Sequence, residues 1–174
     1  MRTAASSTGW SVTEGVPLVV FAVGNESRGD DAVGPLLLQR LDAMLPPGAR
    51  AVLDFQLQVE HALELRDAAL ALFIDAACGL AAPFAFFETR PGGAPSAFSH
   101  ALAPEAVLEV FARVEGRPPP PAFVLAIRAS RFELGEAPSP AACADMDAAL
   151  RFAKTLLATP TAARWRAFAS PSDG

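Results

Sequence analysis

Apolar runs of strand length alternate with segments of helical period along most of this chain. Residues 17–23 carry Leu18, Val19, Val20, Phe21, Ala22 and Val23 without a polar break, the pattern of a strand covered on both faces. Residues 30–45 predict a first helix, which Pro46, Pro47 and Gly48 stop. A short second strand is expected over 51–54, and a helix over 59–68 with Leu63 and Leu65 on its apolar side. Residues 69–75 form another continuous apolar run of strand length, closed by Asp75. An edge strand is expected over 85–89. A helix follows over 104–114, with Val107, Leu108 and Phe111 on one face. The prolines 118–121 force an extended connection into a strand at 123–127. A final helix is expected over 139–157, with Ser139 as N-cap and Pro140 in its first turn.

Strands separated by helices predict an α/β fold of three layers. A twisted, mostly parallel sheet of about five strands would be flanked by helices on both faces. The expected organisation is a polar tail over 1–15, one α/β domain over 16–158 and a tail over 159–174 that Trp165 and Phe168 could dock. Composition agrees: 52% of residues are apolar and 19% charged, enough to build a core and too little charge for disorder. A net charge of −5 argues against a nucleic-acid partner. No apolar run reaches the length of a bilayer span, and residues 1–14 lack the pattern of a secretory signal. Two cysteines, Cys78 and Cys143, are too few for a disulfide framework. The expected setting is the cytoplasm.

Candidate chemistry lies where strands end. The segment Val23-Gly24-Asn25-Glu26-Ser27-Arg28-Gly29-Asp30-Asp31-Ala32-Val33-Gly34 places two adjacent carboxylates in a glycine-punctuated turn after the first strand. In open α/β sheets ligands bind at the carboxyl ends of strands. Asp75 ends a second such strand, and His100 occupies a loop that could reach the same rim. Two carboxylates and an imidazole suit a borderline divalent metal such as nickel, zinc or cadmium, and three protein ligands leave an open position.

Each residue also has a plainer reading. Asp31 could simply favour a helix start, where the dipole welcomes a carboxylate; Asp30 suits that capping role better and leaves Asp31 for contact. A lone histidine is more often a satisfied loop residue than a ligand. Asn25 can fix its own turn and could help orient a substrate. Arg28 could meet a carboxylate or face water. Glu60 and His61 begin a helix and could support the ligands from behind, although a solvated helix face is the commoner role. Cys78 has no base–orienter pair in sight, and Ser27 and Ser99 lack the Gly-x-Ser-x-Gly elbow. Phe86 or Phe87 on an edge strand could contact a partner.

Taken in order, the Gly24-Asn25 turn with Asp30-Asp31, Asp75 in Phe73-Ile74-Asp75-Ala76-Ala77, His100 in Ser99-His100-Ala101-Leu102, the stretch Ser130-Arg131-Phe132-Glu133-Leu134-Gly135 and the closing helix resemble the hydrogenase maturation proteases. These endopeptidases trim the C-terminus of the nickel–iron hydrogenase large subunit. The resemblance runs from about Leu18 to Leu157. It implies that Asp31, Asp75 and His100 are the metal-contacting and catalytic set. It also implies that nickel arrives inside the large-subunit precursor rather than residing in this chain. A monomer that forms only a transient complex with that precursor is the expected state. The metal could polarise the scissile carbonyl or acidify a water, or Asp31 could act as the base.

One segment departs from the family's pattern. Where the family often has an aspartate followed by glycines and a threonine, this chain has Asp54-Phe55-Gln56-Leu57-Gln58-Val59-Glu60-His61. The variant resembles the branch that processes NAD-reducing soluble hydrogenases. A non-proteolytic checkpoint protein that binds the nickel-loaded precursor, or a small-molecule hydrolase on a related fold, are the rival expectations.

Overall fold

The computed structural model describes residues 17–92 and 102–170. Five strands form one sheet: β1 (Leu18–Val23), β2 (Arg50–Asp54), β3 (Leu70–Ala77), β4 (Phe84–Thr89) and β5 (Ala122–Arg128). Their order is β2-β1-β3-β5-β4, parallel except for β4, which runs antiparallel to β5. The chain leaves β1 toward one edge to make β2, then crosses back to place β3 on the other side of β1. The connections therefore diverge at the β1/β3 boundary, which opens a crevice at the carboxyl ends of these two strands.

Both faces of the sheet are covered, as the unbroken apolar strands require. One face carries α1 (Val33–Leu41), α3 (Pro140–Ala158) and the short α4 (Ala162–Arg166), packed on Val20, Leu72, Ile74, Leu125 and Ile127. The other carries α2 (Pro104–Glu115) and a 3-10 segment, Val59–Leu65, packed on Val19, Phe21, Phe73 and Val124. This is the expected three-layer α/β fold. No helix among the described residues is long and apolar enough to cross a membrane.

Three local differences have physical causes. The first helix is not continuous over 30–45. A 3-10 turn, Gly29–Ala32, precedes α1 and another, Asp42–Met44, follows it. Residues 59–65 are 3-10 rather than α-helix. A capping box holds that segment: the Gln58 N–H donates to His61 Nδ1 at 3.0 Å and the His61 N–H donates to the Gln58 side chain, while the same His61 N–H also reaches the Gln58 carbonyl at 3.1 Å. β3 continues two residues past Asp75, because Asp75, Ala76 and Ala77 still pair with Ala126, Ile127 and Arg128.

Packing does not stop with the final long helix. Trp165 is fully buried, stands edge-on to Phe86 and Phe123, and donates its indole N–H to the Leu156 carbonyl at 3.0 Å. Phe168 packs edge-on against Phe152. The Ser170 N–H then donates to the Phe86 carbonyl at 2.9 Å, and Arg166 pairs with Glu88 at 2.7 Å. So the segment expected as a tail is docked on β4, and Phe86 is interior rather than a contact for a partner. Trp165→Ala should lower unfolding stability by about 3–5 kcal/mol, since it leaves a large buried cavity. Denaturant melts of the variant and the parent chain check this.

Candidate active site

The site is built from the turn between β1 and α1. Gly24 has φ +142°, and a side chain there would collide with the Asp31 carbonyl, so only glycine lets the turn fold back this tightly. Asn25 closes an Asx turn by accepting the Ser27 N–H at 2.9 Å on its side-chain oxygen. Arg28 is exposed and donates its Nε–H to the Phe132 carbonyl at 3.1 Å. Gly29, with φ +55°, lets the turn press against the Arg131 carbonyl.

Asp30 and Asp31 are both buried but do different work. Asp30 accepts three backbone N–H bonds from the connection between β5 and α3: Ser130 at 3.0 Å, Arg131 at 3.0 Å and Ser139 at 2.7 Å. Its own N–H donates to the Arg131 carbonyl at 2.7 Å. It does not cap α1, whose N-cap is Ala32 and has no side-chain cap. Instead it ties the turn to a loop about a hundred residues away. Burial by itself would push this carboxyl up; the Ser130 and Ser139 N–H groups, the Ser139 hydroxyl and the Arg131 N–H outweigh it and hold Asp30 below its ordinary 3.8.

Asp31 is left to point elsewhere. Its Oδ2 accepts the Asn25 N–H at 2.9 Å. The 3-10 turn that carries it lies against β3. Asp75 sits on β3 among residues of the Phe73–Ala77 face. It is buried, and its Oδ1 accepts the Ala76 N–H at 2.7 Å. Thus one buried carboxylate comes from the turn after β1 and the other from β3, against which that turn lies. His100, the third expected member, lies outside the described residues.

The neighbouring strand end adds a polar knot. Asp54 closes β2. Its Oδ1 accepts the Phe55 N–H at 2.6 Å and its Oδ2 accepts the Gln58 amide at 3.1 Å. His61 Nε2 stands 3.4 Å from the same Oδ2, and its ring meets Phe21 at 5.8 Å. With Nδ1 accepting from Gln58, the ring proton of neutral His61 is on Nε2, toward Asp54. His61 is therefore part of the rim rather than of a solvated face, whereas Glu60 is exposed. The Asp54 carbonyl accepts the Gly24 N–H at 3.1 Å, which locks this knot to the start of the site turn.

Cys78 is exposed just beyond β3, and Cys143 is half-buried on α3. At the far side of the rim, Arg128 grips Asp145 through two bonds, of 2.8 and 3.1 Å, and reaches the Ala81 carbonyl at 3.1 Å. This pair was not visible in the sequence, because nothing in either local segment signals the other. The backbone donors that meet Asp30 were equally invisible, since a backbone N–H carries no residue signature.

Comparison with solved structures places the fold. The NiFe hydrogenase maturation protease HycI from Thermococcus kodakarensis superposes with a TM-score of 0.62 at 21% identity, over 84% of this chain and 96% of that one. The hydrogenase maturating endopeptidase HybD from E. coli gives 0.67 at 19% identity, over 83% and 94%. This chain has the fold of the hydrogenase maturation proteases. A hydrogenase 2 maturation peptidase from a Thaumarchaeota archaeon gives 0.57 at 21% identity, over 81% and 97%. No protein-family model and no curated protein sequence matches the chain. At these identities the shared property is the fold, and the acids described above are placed by this chain's own geometry.

The Asp30 clasp makes a testable statement about acid stability. Asp30 stays ionised to lower pH in the folded chain than in the unfolded one. Its stabilisation is complete above the unfolded value and is lost as pH falls through the lowered folded value. Asp30→Asn should be less stable than the parent at neutral pH by about 2–3 kcal/mol. That gap should narrow below about pH 4, as urea melts across a pH series would show.

Proposed function

We propose that this chain is an endopeptidase that removes the C-terminal extension of a nickel–iron hydrogenase large-subunit precursor after nickel has been inserted. One observation carries the reading: two buried carboxylates, Asp31 on the turn that lies against β3 and Asp75 on β3 itself, occur in a fold shared with proteases of that activity. The order of motifs along the chain, from the Gly24-Asn25 turn through Asp75 to His100, supports the same assignment.

Nickel is part of the substrate in this reading. Asp31 and Asp75 offer oxygen donors and His100 a nitrogen donor, a mixed set suited to a borderline divalent ion exposed on a partner. The chain's own residues hold the geometry. Asp30 and Asn25 fix the turn so that the Asp31 carboxylate keeps one direction, and β3 fixes Asp75. Burial of both acids keeps bulk water from competing with the incoming group. A carboxylate at this place can accept the proton of the attacking water, which is general-base work. The protein acts as a monomer in the cytoplasm, with the precursor as its partner.

The test is a mass-spectrometric cleavage assay with precursor prepared with and without nickel. A discrete C-terminal peptide should appear only from the nickel-loaded form. Asp31→Asn, and separately His100→Ala, should abolish release while the unfolding midpoint stays within a few degrees of the parent. Full release by both variants would remove these residues from the site, and nickel-dependent binding without release by the parent chain would mark a checkpoint rather than a protease.

A further inference from the structure

The two edges of the sheet are treated differently. At the β4 edge the chain covers itself: the Ser170 N–H bonds to Phe86, and Arg166 clamps Glu88. At the β2 edge, among the described residues, no segment pairs with the outer side of the strand. Natural sheets blunt such edges with charge, proline or a bulge. Here Ala51, Val52 and Leu53 are apolar, and Arg50 is turned away to Glu64, at 3.2 Å. Leu53 is 52% exposed and Phe55, just past the strand, 68%.

Pairing tells which backbone groups are open. The Gly24 N–H donates to the Asp54 carbonyl, and Val23 lies opposite Asp54 in the parallel ladder. Alternation along a strand then turns the groups of Arg50, Val52 and Asp54 toward β1, and those of Ala51 and Leu53 outward. So the open edge presents two N–H and two C=O groups, flanked by apolar side chains. It ends at Asp54, whose carbonyl anchors the turn that carries Asp31.

We propose that the outer edge of β2 receives an extended, apolar-rich segment of the precursor as an added strand, which Leu53 and Phe55 grip and which leads into the crevice between β1 and β3. This rests on the protease reading above and names where its substrate docks. The occupant is a peptide strand because main-chain donors and acceptors, rather than a charged or concave pocket, are what this edge offers. Continuity with the candidate site selects the substrate over an unrelated partner.

Hydrogen exchange on the parent chain, alone and with nickel-loaded precursor, tests this directly. The Ala51 and Leu53 amides should exchange fast in the free chain and slow by about tenfold or more in the complex, as new backbone bonds form. Val52 and Asp54, already bonded to β1, should change little. Leu53→Pro removes an outward donor without touching the β1 ladder. It should raise KM for the precursor about tenfold and leave kcat at saturation unchanged.

If the precursor is bound and cut while the Ala51 and Leu53 amides exchange as before, strand addition is wrong and the protease reading stands. If the parent chain neither binds nor cuts the precursor, both fall. Slow exchange at this edge in the isolated chain, with a dimer in sedimentation, would give the edge to a second copy and overturn the proposal.

Discussion

A carboxylate held by backbone N–H groups from a distant loop organises this molecule. Asp30 comes from the first connection of the chain, and its three donors come from the last large one, between β5 and α3. An ionised carboxylate buried without such donors would carry a desolvation cost of several kcal/mol. With them, it becomes a rigid joint. The joint brings the site turn, the β5 rim and the start of α3 into one unit, since the Ser139 hydroxyl also caps α3 by accepting the Ala142 N–H at 3.1 Å.

The consequences run outward from that joint. Because Asp30 is committed to structure, Asp31 is left to its own turn, where it accepts the Asn25 N–H, and that turn lies against the strand that carries Asp75. The parallel order β2-β1-β3 makes the β1/β3 boundary the place where connections diverge, so no crossover among the described residues covers it. The Asp54 knot supports the same turn from the other side through the Gly24 N–H. A site supported from both flanks can keep two buried acids in place without a partner present. That suits a protein whose proposed ligand arrives on another protein.

Much of the fold was legible in the chain. The apolar runs at 17–23, 69–75 and 123–127 became β1, β3 and β5, because unbroken β-branched and apolar stretches suit only a strand covered on both faces. Ser139 and Pro140 marked the start of α3 correctly. The weaker places were those where two local preferences compete. Gly29-Asp30-Asp31-Ala32 wound into a tighter 3-10 turn because Asp30 is pulled toward Ser130 and Ser139 rather than toward the helix. Val59–Leu65 stayed 3-10 because the Gln58–His61 box holds its first turn. In the segment after Thr159 the sequence marked Trp165 and Phe168 as residues that could dock it, but what receives Trp165, the pocket among Phe86, Phe123 and Leu156, is a tertiary feature.

For the site, sequence order nominated Asp31, Asp75 and His100 as candidates; Asp31 and Asp75 are buried, on the turn after β1 and on β3, and His100 lies outside the described residues. The sequence also marked Gly24 and Asn25 as turn-formers, because glycine and asparagine have local reasons to sit there. Tertiary structure decided the division of labour within the acidic pair. Position alone suggested Asp30 for a helix cap, but what separates the two aspartates is which backbone groups lie within hydrogen-bond reach once the chain has folded, and for Asp30 those are Ser130, Arg131 and Ser139. The same holds for His61, Arg128 and the open edge of β2: each depends on contacts between segments far apart in the chain, and such contacts leave no periodic trace in either segment.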